Sequence, residues 1–291
     1  MPQTLESASP VSAATARYDS LLVHVEPGLP ASRRVEVAAG LSRRFKARLI
    51  GLGAEALEPP VASDPYSSQL LAEMVVEMTR ELEARQARAA EDFGRDAAQA
   101  HETEWRTSRA MPNAALAAEA RACDLIVMGA REGRGASGYQ AADPGEVVLT
   151  AARPVLVVPE GAERLEASRI VLAWKETREA RRALLDALPF LVAAEEVVVM
   201  AVCAENAVEV SKAQVDDVAG TLRRRGVPAR SLVVTAPDAS VVDELNAEAA
   251  NIGADLIVCG AYGHSRTREW VFGGVTRTLL RAPGRYLLLS H

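Results

Sequence analysis

The sequence predicts an α/β protein made of two consecutive, doubly wound parallel-sheet domains. Three observations carry that prediction. Apolar runs of strand length alternate with amphipathic stretches of helix length along the chain, the signature of parallel layering. The chain also repeats itself: "CDLIVMGA" at 123–130 and "ADLIVCGA" at 254–261 match at six of eight positions, an offset of 131, and each follows an alanine-rich stretch containing "AEA". Finally, "LIVMG" and "LIVCG" are apolar almost throughout rather than alternating, as in strands buried on both faces.

Length and composition agree. With 291 residues, 49% of them hydrophobic and 25% charged, the chain can fill two ordinary cores. A formal net charge of −6 argues against a general nucleic-acid binder, because a phosphate backbone needs a basic face. Apolar runs such as "VVVMAVCA" at 197–204 fall well short of the roughly 20 residues that cross a bilayer, so no membrane span is expected. Residues 1–16 are rich in Ser and Ala, with no basic or apolar leader region. They read as a loose tail, and the expected compartment is the cytoplasm.

The first domain is expected over 17–159, with strands near 19–25, 47–53, 103–107, 124–129 and 155–158. A second rhyme pairs "LLVHVEPG" at 21–28 with "IVLAWKET" at 170–177 at an offset of 149, so the first half carries 18 extra residues between its first and fourth strands. Their expected place is the long helical stretch that begins "SSQLLAEMVVEM". There Leu71, Met74, Met78 and Leu82 recur at helical spacing and predict a core-facing stripe.

A polar stretch at 160–168 without periodicity reads as a linker. The second domain, 169–291, is expected to hold strands near 169–174, 197–203, 230–235, 254–260 and 286–289. Its helices are expected near 178–188, 208–225, 239–250 and 274–282. Cys123, Cys203 and Cys259 form no C-x-x-C pair and read as small buried thiols rather than metal ligands or a disulfide framework.

The densest signal is "GAYGHSRTREWVFGGVTRTLL" at 260–280. Gly260 ends a strand and Gly273-Gly274 open a helix whose Val275, Leu279 and Ala282 share a face. Ligands of parallel sheets sit at strand carboxyl ends, where a helix N-terminus offers unpaired N–H groups and partial positive charge. Glycine lets the backbone approach a phosphate closely and allows positive φ. His264, Ser265, Arg266 and Arg268 add donors and charge, and the stretch from Gly260 onward carries five arginines against one acid, Glu269. This suits a nucleotide polyphosphate, although no G-x-x-x-x-G-K-[ST] loop occurs. The alternative is that the glycines only turn the chain and the arginines are solvated.

Gly260, Gly263 and Gly273, with the residues after them, resemble the G-x2-G-x9-G-[ST] ATP-binding pattern of the universal stress protein family, and "GGVT" is similar to that family's "GSVT". The resemblance covers essentially the whole chain as two copies of the domain. It implies a Rossmann-like fold, related to the adenine nucleotide alpha hydrolases, in which the fifth strands, "VLVVP" at 155–159 and "YLLLS" at 286–290, pair across a two-fold axis as an internal pseudo-dimer.

The resemblance also implies that an adenine nucleotide, ATP with Mg²⁺, lies on Gly260, Gly263, Gly273, Gly274, Val275 and Thr276. Val202 would take the adenine, with Ala173 and His264 completing the site. Two positions depart from the pattern: Lys175 stands where the family has an aspartate, and Gly274 replaces its Ser/Thr. A further homo-oligomer of the internal pair, or a protein partner, is expected.

The first half departs further. It keeps Gly129, but Glu132 replaces the second glycine. Its G-x-G-x-x-G at Gly133, Gly135 and Gly138 follows the fourth strand rather than the first, and Pro144 is expected to interrupt before the next helix starts. Glu132, Asp143 and Glu146 would place like charges where phosphate sits. The first half is therefore expected to bind no nucleotide. His24, His101, His264 and His291 are scattered, His24 reading as packed within a strand. No G-x-S-x-G or H-E-x-x-H occurs. No catalytic or metal-ligating set is expected, and slow ATP hydrolysis is the most the sequence suggests.

Overall fold

The structure, a computed structural model, describes residues 16–28, 31–60, 68–130, 137–236, 241–263, 274–281 and 283–291. The first half runs β1 (Ser20–Val25), α1 (Ser32–Phe45), β2 (Arg48–Ala54), α2 (Ser68–Asp96), β3 (Glu102–Ser108), α3 (Pro112–Glu119), β4 (Leu125–Gly129), α4 (Pro144–Thr150) and β5 (Val155–Val158). The second runs β6 (Arg169–Ala173), α5 (Arg178–Asp186), α6 (Leu188–Leu191), β7 (Glu196–Cys203), α7 (Val208–Arg224), β8 (Ala229–Thr235), α8 (Val241–Asn251), β9 (Leu256–Gly260), α9 (Gly274–Arg281) and β10 (Tyr286–Ser290).

The ten strands of the described residues form one sheet in the order β3-β2-β1-β4-β5-β10-β9-β6-β7-β8. Each half contributes five parallel strands, and the halves meet where β5 and β10 pair antiparallel, Leu288 opposite Leu156. The fifth strands thus pair as the resemblance implied. Helices pack on both sides of this sheet, Val35 of α1 and Ala219 of α7 in one core and Leu116 of α3 and Leu245 of α8 in the other, so the apolar strands are buried on both faces. Side chains alternate across the sheet, so Leu21, Val23, Leu156 and Leu288 share one core while Leu22, Ile126, Val157 and Leu287 share the other.

Both cores run through the seam between the halves. Beside it, Tyr18, Phe45 and Phe190 pack edge-to-face or tilted with ring centroids 5.2–5.6 Å apart, and the Tyr18 hydroxyl donates to the Asp186 carbonyl at 2.5 Å. The repeated aspartate of the "DLIV" segments works at the opposite end of the sheet from the glycine loop. Asp124 Oδ2 accepts from the Asp19 and Ser20 amides, and Asp255 Oδ2 accepts from those of Glu166 and Ala167. Each aspartate ties down the chain as it enters the first strand of its half.

Three expectations need correction. The predicted stripe on α2 is core-facing only at Leu82; Met74 is 44% exposed, while Leu71 and Met78 are half-buried. A 29-residue helix spans about 43 Å, whereas its seven-residue neighbours β2 and β3 span about 23 Å. The first turns of α2 therefore overshoot the sheet, and the buried face begins at Leu82 and continues through Ala89, Phe93 and Ala97. Pro144 does not interrupt α4 but opens it, at the one helical position where a missing N–H costs nothing. Cys203 is half-buried at the end of β7, whereas Cys123 and Cys259 are buried.

No helix among the described residues is long and apolar enough to cross a membrane.

Candidate functional site

The second half's glycine loop leaves β9 at Gly260 and returns at α9. Gly260 and Gly263 do not adopt positive φ. What they need is space. A Cβ on Gly260 would stand 2.6 Å from the Ala180 amide nitrogen and from the Glu179 carbonyl carbon, so the loop runs directly against the first turn of α5. A Cβ on Gly263 would lie 3.2 Å from Thr177 Oγ1 and Glu179 Oε2. That turn is itself ordered by Thr177, whose hydroxyl caps the helix by accepting from the Ala180 amide at 3.2 Å.

Among the described residues of the loop, Tyr262 is left-handed, with φ 58°. Its amide donates to Thr276 Oγ1 at 3.3 Å, which pins the loop to the first turn of α9. Thr276 is only 5% exposed. The buried face of α9 is thus Thr276 and Leu279 rather than the predicted Val275, Leu279 and Ala282: Val275 faces solvent, and Ala282 lies outside the described residues. Gly274 is exposed, and among the described residues nothing lies within 4 Å of where its Cβ would be.

Ala173 and Val202 stand at the carboxyl ends of adjacent strands. Ala173 pairs with Met200, and Val202 comes two residues later, so both face the α8 and α9 side of the sheet. Both are partly buried against that core. Lys175 is exposed just past β6. His264 and Gly273 lie outside the described residues.

Glu179 was missed from the sequence. Its carboxylate is buried beside Gly263 and paired with Arg178. Burial pushes its pKa up, but Arg178, its own backbone N–H and the Thr177 hydroxyl together hold it below the usual range. A Thr followed by a helical stretch was the available signal for the cap. Nothing local marked the carboxylate.

The same place in the first half is closed. Leu22 pairs with Ile126 as Val171 pairs with Ile257, which puts His24 where the second half has Ala173. His24 is 0% exposed, with Nδ1 3.7 Å from Glu26 Oε1 and no hydrogen bond from either ring nitrogen among the described residues. Burial, reinforced by Arg34 and opposed by Glu26 and by the nearby Ala54 backbone, lowers its pKa to about 4, so it is neutral at pH 7. Glu26 also pairs with Arg34, whose Nη1 lies 2.9 Å from the position a Cβ on Gly129 would occupy.

At the offset of 131 Asp143 matches Gly274. Asp143 Oδ1 accepts from the Gly145 amide at 2.8 Å and the Glu146 amide at 3.4 Å, so a carboxylate of the chain itself already takes up the free N–H groups of α4.

Comparison with known proteins agrees with this architecture. A universal stress protein from Archaeoglobus fulgidus has 15% sequence identity and a TM-score of 0.68, with 94% of this chain and 98% of that chain covered. A protein of unknown function from Pseudomonas aeruginosa, also 15% identical, gives a TM-score of 0.55, with 94% of this chain and 92% of that chain covered. At such identity the likeness speaks to the fold. No curated protein matches. The model of the Universal stress protein family matches twice, over 17–159 and again over 166–283. Two consecutive matches that take in most of the residues, on a sheet built as two joined copies, place the chain in the universal stress protein family.

Proposed function

We propose that the second domain binds an adenine nucleotide, ATP with Mg²⁺, that the first domain binds none, and that the protein serves the stress response as a regulatory or protective binding protein in the cytoplasm. One observation supports this most: at matched positions the first half fills space that no described residue fills in the second. His24 stands against Ala173, and the Asp143 cap stands against an exposed Gly274. The N-terminus of an eight-residue helix carries roughly half a positive charge and can offer its first N–H groups to an anion, and no described residue lies within 4 Å of where a Cβ on Gly274 would stand. Thr276 contributes by holding the loop. Lys175, exposed past β6, supplies positive charge, and the nearby Glu179 carboxylate is matched by Arg178. Mg²⁺ would arrive on the phosphates, keeping most of its water. Occupancy would bias the surface offered to a second copy or to another protein.

Position 274 tests this. Gly274→Asp copies the first domain's own cap to the start of α9, and Gly274→Ser restores the hydroxyl of the family pattern. A micromolar complex represents about 8 kcal/mol, so calorimetry with Mg-ATP should resolve both variants. The expected result is one adenine nucleotide released per denatured chain, at least about a hundredfold weaker binding for Gly274→Asp, a loss of roughly 2.7 kcal/mol, and equal or tighter binding for Gly274→Ser. If Gly274→Asp binds as the unaltered protein does, the site assignment is wrong.

A nucleotide-independent interaction module is the second reading. It is favoured by Gly260, whose missing side chain is already accounted for by packing against α5. A melting midpoint unmoved by millimolar ATP would select it.

A further inference from the structure

We propose that Tyr262 couples the glycine loop of the second domain to the first turn of α4 in the first domain, so that the state of one is read by the other. The contact stands on its own geometry; its response to a nucleotide rests on the function proposed above.

The space that a Cβ on Gly145 would need is taken by the Tyr262 hydroxyl, with Asp143 Oδ1 3.0 Å and Leu280 Cδ1 3.4 Å from the same point. Any side chain at Gly145 would therefore collide with one from the other domain. Tyr262 cannot simply retreat. On one side its neighbours Gly260 and Gly263 abut the first turn of α5, and its own amide is held by Thr276 at the start of α9. A left-handed φ of 58° in a non-glycine residue persists only where surroundings enforce it. Burial, and then the Asp143 and Glu146 carboxylates, raise the phenol's pKa against an opposing Arg277, so the hydroxyl keeps its proton.

Movement has a defined route from there. The first turn of α4 is tied to α3 through Asn113, whose Oδ1 accepts from the Asp143 amide at 2.8 Å and whose Nδ2 donates to Glu146. A shift of the Thr276–Tyr262 unit therefore presses on Gly145 and reaches the α3–α4 face of the first domain.

The test begins with the full chain, without ligand. Gly145→Val should speed hydrogen exchange of the Tyr262 amide about tenfold or more, although the change lies in the other domain. Tyr262→Gly keeps the left-handed backbone and removes the ring, so most of the melting-midpoint loss caused by Gly145→Val should vanish in that background. Gly145→Ala gives the same cycle with a smaller side chain should the valine variant not fold.

Equal loss in both backgrounds, or unchanged exchange at Tyr262, overturns the proposal. With ATP bound by calorimetry, exchange over 145–150 should slow in the unaltered protein and not in Tyr262→Gly. Unchanged exchange there in the ATP-bound, unaltered protein overturns the ligand response. A protein that binds no ATP overturns only the nucleotide reading, because the Gly145 and Tyr262 cycle is decided without ligand.

Discussion

Gly260 and Ala180 lie so close that any side chain on the glycine would meet the helix backbone, with a Cβ 2.6 Å from the Ala180 nitrogen. Neither partner can give way cheaply, since one ends a central strand and the other lies in a capped first turn. Gly260→Ala should destabilise the protein by about 2 kcal/mol in urea unfolding, in the range of overpacked cores. Gly274→Ala, exposed with nothing described nearby, should leave stability unchanged or slightly raised.

His24 gives the fold an acid limit. The unfolded histidine takes up a proton near pH 6.5, while the buried one resists until about pH 4. Its contribution is therefore complete above pH 6.5 and falls away as pH drops toward 4, by roughly 3 kcal/mol in all. His24→Leu, beside Leu52 in the register, should remove that part of the pH dependence. Unfolding curves of both proteins at pH 7 and pH 4.5 would show it, and equal losses on acidification would refute it.

Asp255 anchors the chain entering β6 through two backbone amides. Its partly exposed setting limits the effect, and Asp255→Ala should cost about 1–2 kcal/mol. Asp124→Ala should cost a similar amount by the same geometry in the first half. If both variants unfold at the same urea concentration as the unaltered protein, the repeated aspartates are not anchors.

On α2, the sheet decides which apolar residues matter. Leu82→Ala should cost about 2–4 kcal/mol, as buried leucines do. Met74→Gln, on the overshooting turns, should stay within about 0.5 kcal/mol. A large loss at Met74 would mean that a partner covers this part of the helix.

Element order and strand positions were legible because strand periodicity and uninterrupted apolar runs are local signals. The expected strands near 155–158 and 197–203 are β5 and β7 to within a residue. Of the candidate site, the glycine spacing and the acids that replace it in the first half could be read, whereas Thr276, expected on the phosphates, is buried and holds the Tyr262 amide. Tyr262, Thr177 and Glu179 could not, because their roles depend on residues brought together by the sheet. Met74 was misplaced for a related reason: helical spacing predicts a face but not how far the sheet beneath it extends.

By itself, the sequence determined that there are two copies of one α/β unit, where their strands lie, and that the second copy carries the glycine pattern while the first carries acids in its place. Only the tertiary structure decided what the glycines do. Gly260 and Gly263 admit the first turn of α5, Gly145 admits Tyr262 from the other half, and His24 fills the space left over Ala173. Spacing along a chain records local geometry, whereas steric room at a glycine is set by atoms that arrive from distant parts of the sequence.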